Sequence, residues 1–394
     1  MKSIFSSKTV KDIFIIFFIV LVITTIMWSP HYFRFANFFG LNFSEGFSTI
    51  YRNFDGIEYV VIAKTFYNPA AIAQLPQSLP ANYYAAHFPG YALAILIFAP
   101  LFGFLKSMIF TSLLFTAAAA TAFYFLIRDF QLSKHPLFLS LVFLILPARW
   151  LVVHSVGSAE PMFIFFTIAA IYFFLKYESL KHYPLLLLSA SFGALAQFTR
   201  PPGILLFLSL CLYILWKTIK NKQGNIFRNL FKAKLQYFPL VLMPLTLLLI
   251  FYWYSIAYQD FFAYFHSGDN IHLTFPPYQV FNQNQFWVGT IWLEDIIYIL
   301  TLGFLGGLML FKQKLYPLAF FVFIYLIATT LVAHRDISRY SLPIFPFLLI
   351  AFEKVLVSKE FKIVLLIVIL AIYLYAQNFL IANTAPIPNP QLFN

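Results

Sequence analysis

The chain has 394 residues, 61% of them hydrophobic and only 10% charged, whereas soluble globular domains are about a quarter charged. That balance excludes a soluble enzyme. The net charge of +12 does not point to nucleic acid, because the basic residues fall in short gaps between apolar runs, where they orient spans and meet anionic membrane lipid.

In chain order, Lys2, Lys8 and Lys11 precede an apolar run from Ile13 to Trp28 that ends without a small-x-small cleavage pattern. It reads as a retained first span. The outer-face loop 31–106 follows, with YRNFDGIEYVVIAKTFY at Tyr51 to Tyr67 and HFPGY at His87 to Tyr91. Asp55 and Glu58, three residues apart, share one face of a helix while Ile57, Val60 and Val61 supply an apolar side. This predicts a short amphipathic helix on the membrane surface. A carboxylate pair held there suits a general base acting on a lipid-linked substrate. The same spacing is also a capping box, which needs no chemistry. On these residues alone capping is the favoured reading.

Further apolar runs lie at 88–105, 107–127, 136–152, 161–176, 184–199, 203–216, 236–257, 290–311, 316–332, 341–356 and 363–381. The run 88–105 contains Pro89, Gly90, Pro100 and Gly103, which weaken a helix. If it does not cross, the cytoplasmic side receives 18 of the 26 basic residues, and if it does, only eight. The positive-inside rule selects the first arrangement. The prediction is an all-α polytopic membrane protein, one integral-membrane domain over 1–394. It has eleven transmembrane helices, a cytoplasmic N-terminus, an outer C-terminus and an interfacial or re-entrant helix at 88–105. In a prokaryote the membrane would be the cell membrane.

This topology gathers the titratable groups on the outer face. Glu160 in GSAEPMF opens a span, where a helix N-terminus favours an acid, or it lies at the mouth of the Asp55 cavity as a functional group. Arg200 in FTRPPG either snorkels to the interface or holds a phosphate. The loop 258–289 mixes aromatic residues with His266, Asp269, Asn270 and His272, as an aromatic belt or a sugar-binding surface would. In HRDISRYSLPIFP, Arg335, Asp336, Arg339 and Tyr340 form either a surface ion-pair turn or a phosphate-facing group, with Arg339 ahead of Arg335. Walker A, dinucleotide and zincin signatures do not occur, so nucleotide binding and zinc hydrolysis have no support.

Taken together, these segments resemble a family. FDGIEYVVIAKTFY followed by HFPGYALAILIFAPLFG looks like the W-D-x-x-x-Y-x-x-I-A-x-x-G-Y and F-F-P-x-Y-P pairing of PIG-V-type mannosyltransferases, within the GT-C superfamily of membrane glycosyltransferases. GSAEPMF resembles that family's Y-S-E-S-L-F, FTRPPGIL its arginine-and-glycine segment, and SRYSLPIFP the superfamily's R-Y-x-x-P turn. The segments come in family order from Phe54 to Pro346. Phe54 stands where the pattern has Trp, Phe66 where it has Gly, and Gly90 and Ala92 replace parts of F-P-x-Y-P.

The resemblance implies a GT-C-like fold and an outward-facing site. It implies a polyprenyl-phosphate sugar as donor and inverting transfer of a hexose, mannose first, to a glycan, lipid or protein acceptor. Asp55 takes the place of the catalytic acid and Glu160 that of the family's glutamate. Glu58 would orient Asp55 or act as a second base. His87, Arg200, His272, Arg335, Arg339 and Tyr340 are the expected substrate-binding residues, with an arginine on the departing phosphate. No cofactor is required, since a lipid phosphate already leaves well, although a divalent metal is compatible with the chemistry. The competing readings are a transporter or flippase of lipid-linked glycans and an O-antigen ligase or polymerase. Paired repeats and acids at span centres would mark the first; action on a preformed lipid-linked oligosaccharide would mark the second.

Overall fold

The computed structural model describes residues 6–77, 79–220, 233–268, 273–289, 293–385, 387 and 389–394. Among them every regular element is helical. We label fourteen helices: α1 Ser7–Tyr32, α2 Gly56–Thr65, α3 Pro89–Phe102, α4 Phe104–Asp129, α5 Pro136–Phe143, α6 Ala148–Val153, α7 Glu160–Leu180, α8 Tyr183–Thr199, α9 Gly203–Lys220, α10 Leu242–Ala257, α11 Glu294–Lys312, α12 Tyr316–Thr330, α13 Phe345–Ala351 and α14 Lys359–Ala382. Among the described residues seven helical stretches are long and apolar enough to cross a membrane: α1, α4, α7, α9, α10 with the turn before it, α11 and α14. The chain is thus a helical, multi-pass membrane protein.

The remaining predicted spans form shorter helices, for reasons visible in the sequence. The run 136–152 is interrupted between α5 and α6, where Pro147 has no N–H to donate and restricts Leu146 before it. The run 341–356 is likewise divided near Pro343 and Pro346. Helix α3 has 14 residues and is about 21 Å long at 1.5 Å per residue, short of a hydrocarbon core about 30 Å thick.

Two compact units make up the chain, Met1–Phe165 with Glu353–Asn394 and Phe166–Phe352. In the first, α4 packs against α1, α3 and α5, and α6 packs against α14. Polar side chains fasten these apolar faces. Tyr124 donates to Asp12 at 2.7 Å and Arg128 to Thr9 at 2.9 Å, linking α4 to the start of α1. At the other end of α1, His31 Nε2 donates to Gln377 Oε1 at 2.9 Å, and Gln377 donates to the Met27 carbonyl at 2.8 Å. In a low-dielectric interior each such satisfied bond also fixes register, because an unmade one is costly.

In the second unit, α8 packs on α10, α9 on α12, and α11 on both α12 and α13. Gly303 and Gly307 let α11 approach Leu326 and Phe323 of α12 closely, the use membrane helices make of small residues. Glu178 in α7 accepts hydrogen bonds from Lys217, Tyr213, Tyr237 and Lys181. A carboxylate so well supplied can sit low in an apolar bundle.

Helix α2 differs from its expected form. Only Glu58 and Lys64 escape full burial, so it is an enclosed helix and not one lying on a membrane surface. Helices α3 and α4 and the turn Pro390–Phe393 pack on it. Its end is strained: Phe66 and Tyr67 have φ of 49° and 67°, a left-handed conformation that costs an L-residue about 1–2 kcal/mol. Tyr67 is held there by donating to the His87 carbonyl at 2.7 Å, while the Phe66 ring is exposed. Phe66→Gly is therefore expected to raise stability by up to about 1 kcal/mol, the relief being partly offset by a more flexible unfolded chain. Thermal unfolding in detergent checks this; a lower midpoint would mean the ring itself contributes packing.

Candidate functional site

The segment before α2 is anchored from far along the chain. Asn53 is fully buried and donates to the carbonyls of Thr49 at 2.9 Å and Leu380 at 2.8 Å. Ala385 N donates to the Arg52 carbonyl at 2.8 Å, and Arg52 Nη1 donates to the Ile387 carbonyl at 3.2 Å. Phe54 stacks on Phe379 with centroids 5.5 Å apart. The end of α14 and the strand-like tail after it thus fix the residues that lead into Asp55.

Asp55 occupies the N-cap position of α2, but its side chain makes no capping hydrogen bond. The capping-box alternative is therefore not realised at this residue. Its carboxylate is 30% exposed and lies 3.9 Å from the Nε2 of His87, whose side chain is 6% exposed. Gly56 permits the approach of the next layer: a Cβ there would lie 2.8 Å from Met108 Sδ and 3.0 Å from the Gly157 carbonyl. The Asp55–Gly56 corner is thereby seated on the GSAE segment.

Aromatic and hydroxyl groups connect the remaining members. Tyr59 meets His87 edge-on at 5.3 Å and Tyr91 at 5.0 Å. Tyr91 donates to the Met108 carbonyl at 2.6 Å and lies 2.6 Å from Ser112 Oγ. The backbone N–H of Ser158 reaches both hydroxyls, at 3.1 Å and 2.9 Å. Ser158 Oγ in turn donates to the carboxylate of Glu160, which is completely buried at the start of α7. Glu58, one turn into α2, faces Tyr84; burial, reinforced by that negative charge, raises the tyrosine's pKa. The structure thus brings Asp55 and His87 face to face and joins Glu160 to them through Ser158, Tyr91 and Tyr59.

The other predicted residues belong to the second unit. Arg200 ends α8 with extended backbone and is 9% exposed. Arg339 and Tyr340 lie in the one-turn helix Ile337–Tyr340 and are 6% and 9% exposed. That turn packs in an apolar cluster with Val280, Trp287, Ile296 and Val332, and the His334 ring meets Tyr340 at 5.2 Å. Arg335 instead rests over the Phe286 ring at 5.6 Å. The backbone of the loop before this cluster is tied to the end of α12, Thr274 N donating to the Leu331 carbonyl and Tyr278 N to that of Thr330, each at 2.7 Å. His272, with Asp269 and Asn270, lies outside the described residues. Among the described residues no three His, Cys, Asp or Glu side chains converge to hold a metal ion.

Tyr59, Tyr91 and Ser158 lie within the quoted motif segments but were given no role from the sequence, and Ser112 sits in an apolar run where a lone hydroxyl carries no local signal. Arg149 was legible. An arginine inside the apolar run 136–152 costs about 2.5–3.5 kcal/mol at the centre of a span and calls for a reason. In the fold it lies on α6 with its guanidinium carbon 3.7 Å from the Phe379 ring centroid.

His154, just after α6 and outside the long apolar helices, is fully buried. Its Nε2–H donates to the Leu144 carbonyl at 2.9 Å and its ring meets Trp150 at 5.1 Å. Burial pushes its pKa down to about 4. The unfolded value is about 6.5, so between these limits the unfolded chain binds the proton more readily. Stability is full above about pH 6.5 and falls as the pH drops toward about 4. His154→Gln is expected to flatten thermal stability over that window; an unchanged slope would place the acid sensitivity at other groups.

No protein-family model matches the sequence, and no curated protein matches it.

Proposed function

We propose that the chain is an integral-membrane glycosyltransferase that moves a hexose, mannose first among candidates, from a polyprenyl-phosphate donor to an acceptor on the outer or luminal face, with inversion. Eleven crossings with a cytoplasmic N-terminus, and α3 as an interfacial or re-entrant helix, complete the reading. The observation that carries it is the state of Asp55: it stands at a helix N-cap without capping, and its part-exposed carboxylate faces His87 across 3.9 Å. Support also comes from the ordered resemblance of five separate segments to one family's motifs.

In this reaction Asp55 accepts the proton of the acceptor hydroxyl as that oxygen bonds to the anomeric carbon from the face opposite the phosphate. The carbon–oxygen bond to phosphate breaks and its electron pair leaves on the phosphate, giving an inverted glycoside and free polyprenyl phosphate. As the family resemblance implies, an arginine neutralises the growing charge on the departing phosphate. His87 positions the base. Glu58 orients it or shares its proton. Glu160 acts indirectly, holding Ser158 and so the floor on which Asp55–Gly56 sits.

The test is transfer of radiolabelled mannose from polyprenyl-phosphate mannose into membrane products by membranes carrying the full chain. Incorporation above that of membranes without the protein is expected. If neither this donor nor other polyprenyl-phosphate hexoses gives product, the transferase reading fails.

A further inference from the structure

We propose that Arg149 binds the phosphate of the lipid-linked substrate at the Asp55 site. The ligand's identity rests on the transferase reading; the residue's position rests on geometry. Pro147 interrupts the apolar run and releases Ala148–Val153 as a separate short helix. Trp150 pins this helix, its buried ring stacked on Phe143 at 5.3 Å, and Arg149 beside it is only half-buried.

The Arg149 guanidinium carbon lies 3.7 Å from the Phe379 ring centroid. Phe379 also stacks on Phe54, the residue before Asp55. One aromatic side chain on α14 therefore braces both the arginine and the segment that carries the proposed base. A guanidinium resting on a ring face keeps its five N–H donors in its own plane, where two together match phosphate oxygens. Phe379 thereby braces Arg149 against the lead-in to Asp55.

The experiment measures binding of a short-chain polyprenyl monophosphate, without sugar, to the full chain in nanodiscs at two ionic strengths. Arg149→Gln is expected to weaken binding at least tenfold and to remove most of its salt dependence, a change that lost packing alone would not produce. Arg149→Lys should recover part of the affinity. Wild-type affinity and salt dependence in Arg149→Gln would overturn the proposal. If the glutamine variant does not fold, the lysine variant decides: salt-dependent binding supports the site, and absence of binding by a folded lysine variant overturns it. Arg149-dependent binding with no transfer from any polyprenyl-phosphate sugar would sink the transferase reading and leave the phosphate site standing. Transfer by Arg149→Gln with an unchanged donor KM would do the reverse.

Discussion

Replacing Asp55 by asparagine is expected to lower sugar transfer by about 10²–10⁴-fold, the usual contribution of a positioned general base, while folding and donor binding stay as in the wild type. The substitution keeps the side chain's shape and removes its capacity to take a proton at neutral pH. Stability should change little, because asparagine keeps the side chain's size and its accepting oxygen and is as good an N-cap as aspartate. The two measurements belong together: initial rates of mannose transfer, and binding of polyprenyl-phosphate mannose to the same preparations. Normal turnover by Asp55→Asn would remove Asp55 from the mechanism. A loss of binding equal to the loss of rate would make it a donor ligand instead of a base.

The second large effect concerns Asn53, which touches no proposed reacting atom. Its amide donates to two carbonyls at helix ends, Thr49 at 2.9 Å and Leu380 at 2.8 Å. Such carbonyls have no partner within their own helices. Asn53→Leu fills similar space and removes both bonds, so two buried acceptors go unmet at about 1–3 kcal/mol each; a total loss of roughly 2–4 kcal/mol is expected. Transfer should fall too, because the loop would no longer be registered against α14. Chemical denaturation in mixed micelles reads the first effect and transfer rate the second. A folded, equally stable Asn53→Leu would show that the stack of Phe54 on Phe379 and the tail pairing hold the loop unaided.

Much of the fold was open to sequence reasoning because its causes are local. A run of apolar residues long enough to span hydrocarbon must satisfy its own backbone, and the helix does this within the run. The seven long helices among the described residues follow from that, whereas the runs 136–152 and 341–356 were expected as whole spans and are interrupted at Pro147 and near Pro343 and Pro346, where a missing N–H breaks the ladder. Helix α2 was misjudged for a related reason. Its composition is that of a half-buried helix, and nothing within Gly56–Thr65 reports that α3, α4 and Pro390–Phe393 close over it.

The candidate site divides in the same way. The sequence by itself determined that this is a helical membrane protein, and it offered Asp55, His87 and Glu160 as candidate site residues. Spacing along one chain favoured Asp55 as a cap, and only the resemblance to a family pointed to a base. Only the tertiary structure set the Asp55 carboxylate, which makes no capping hydrogen bond, 3.9 Å from a histidine 32 positions later in the chain. It also decided that a buried Tyr91–Ser112–Ser158 network carries the link to Glu160, and that Phe379 draws Phe54 and Arg149 together across gaps of more than two hundred residues. Hydrophobic periodicity is a property of neighbours in sequence, whereas stacking and side-chain hydrogen bonds depend on which helix ends meet, and that is settled by the packing of the whole unit.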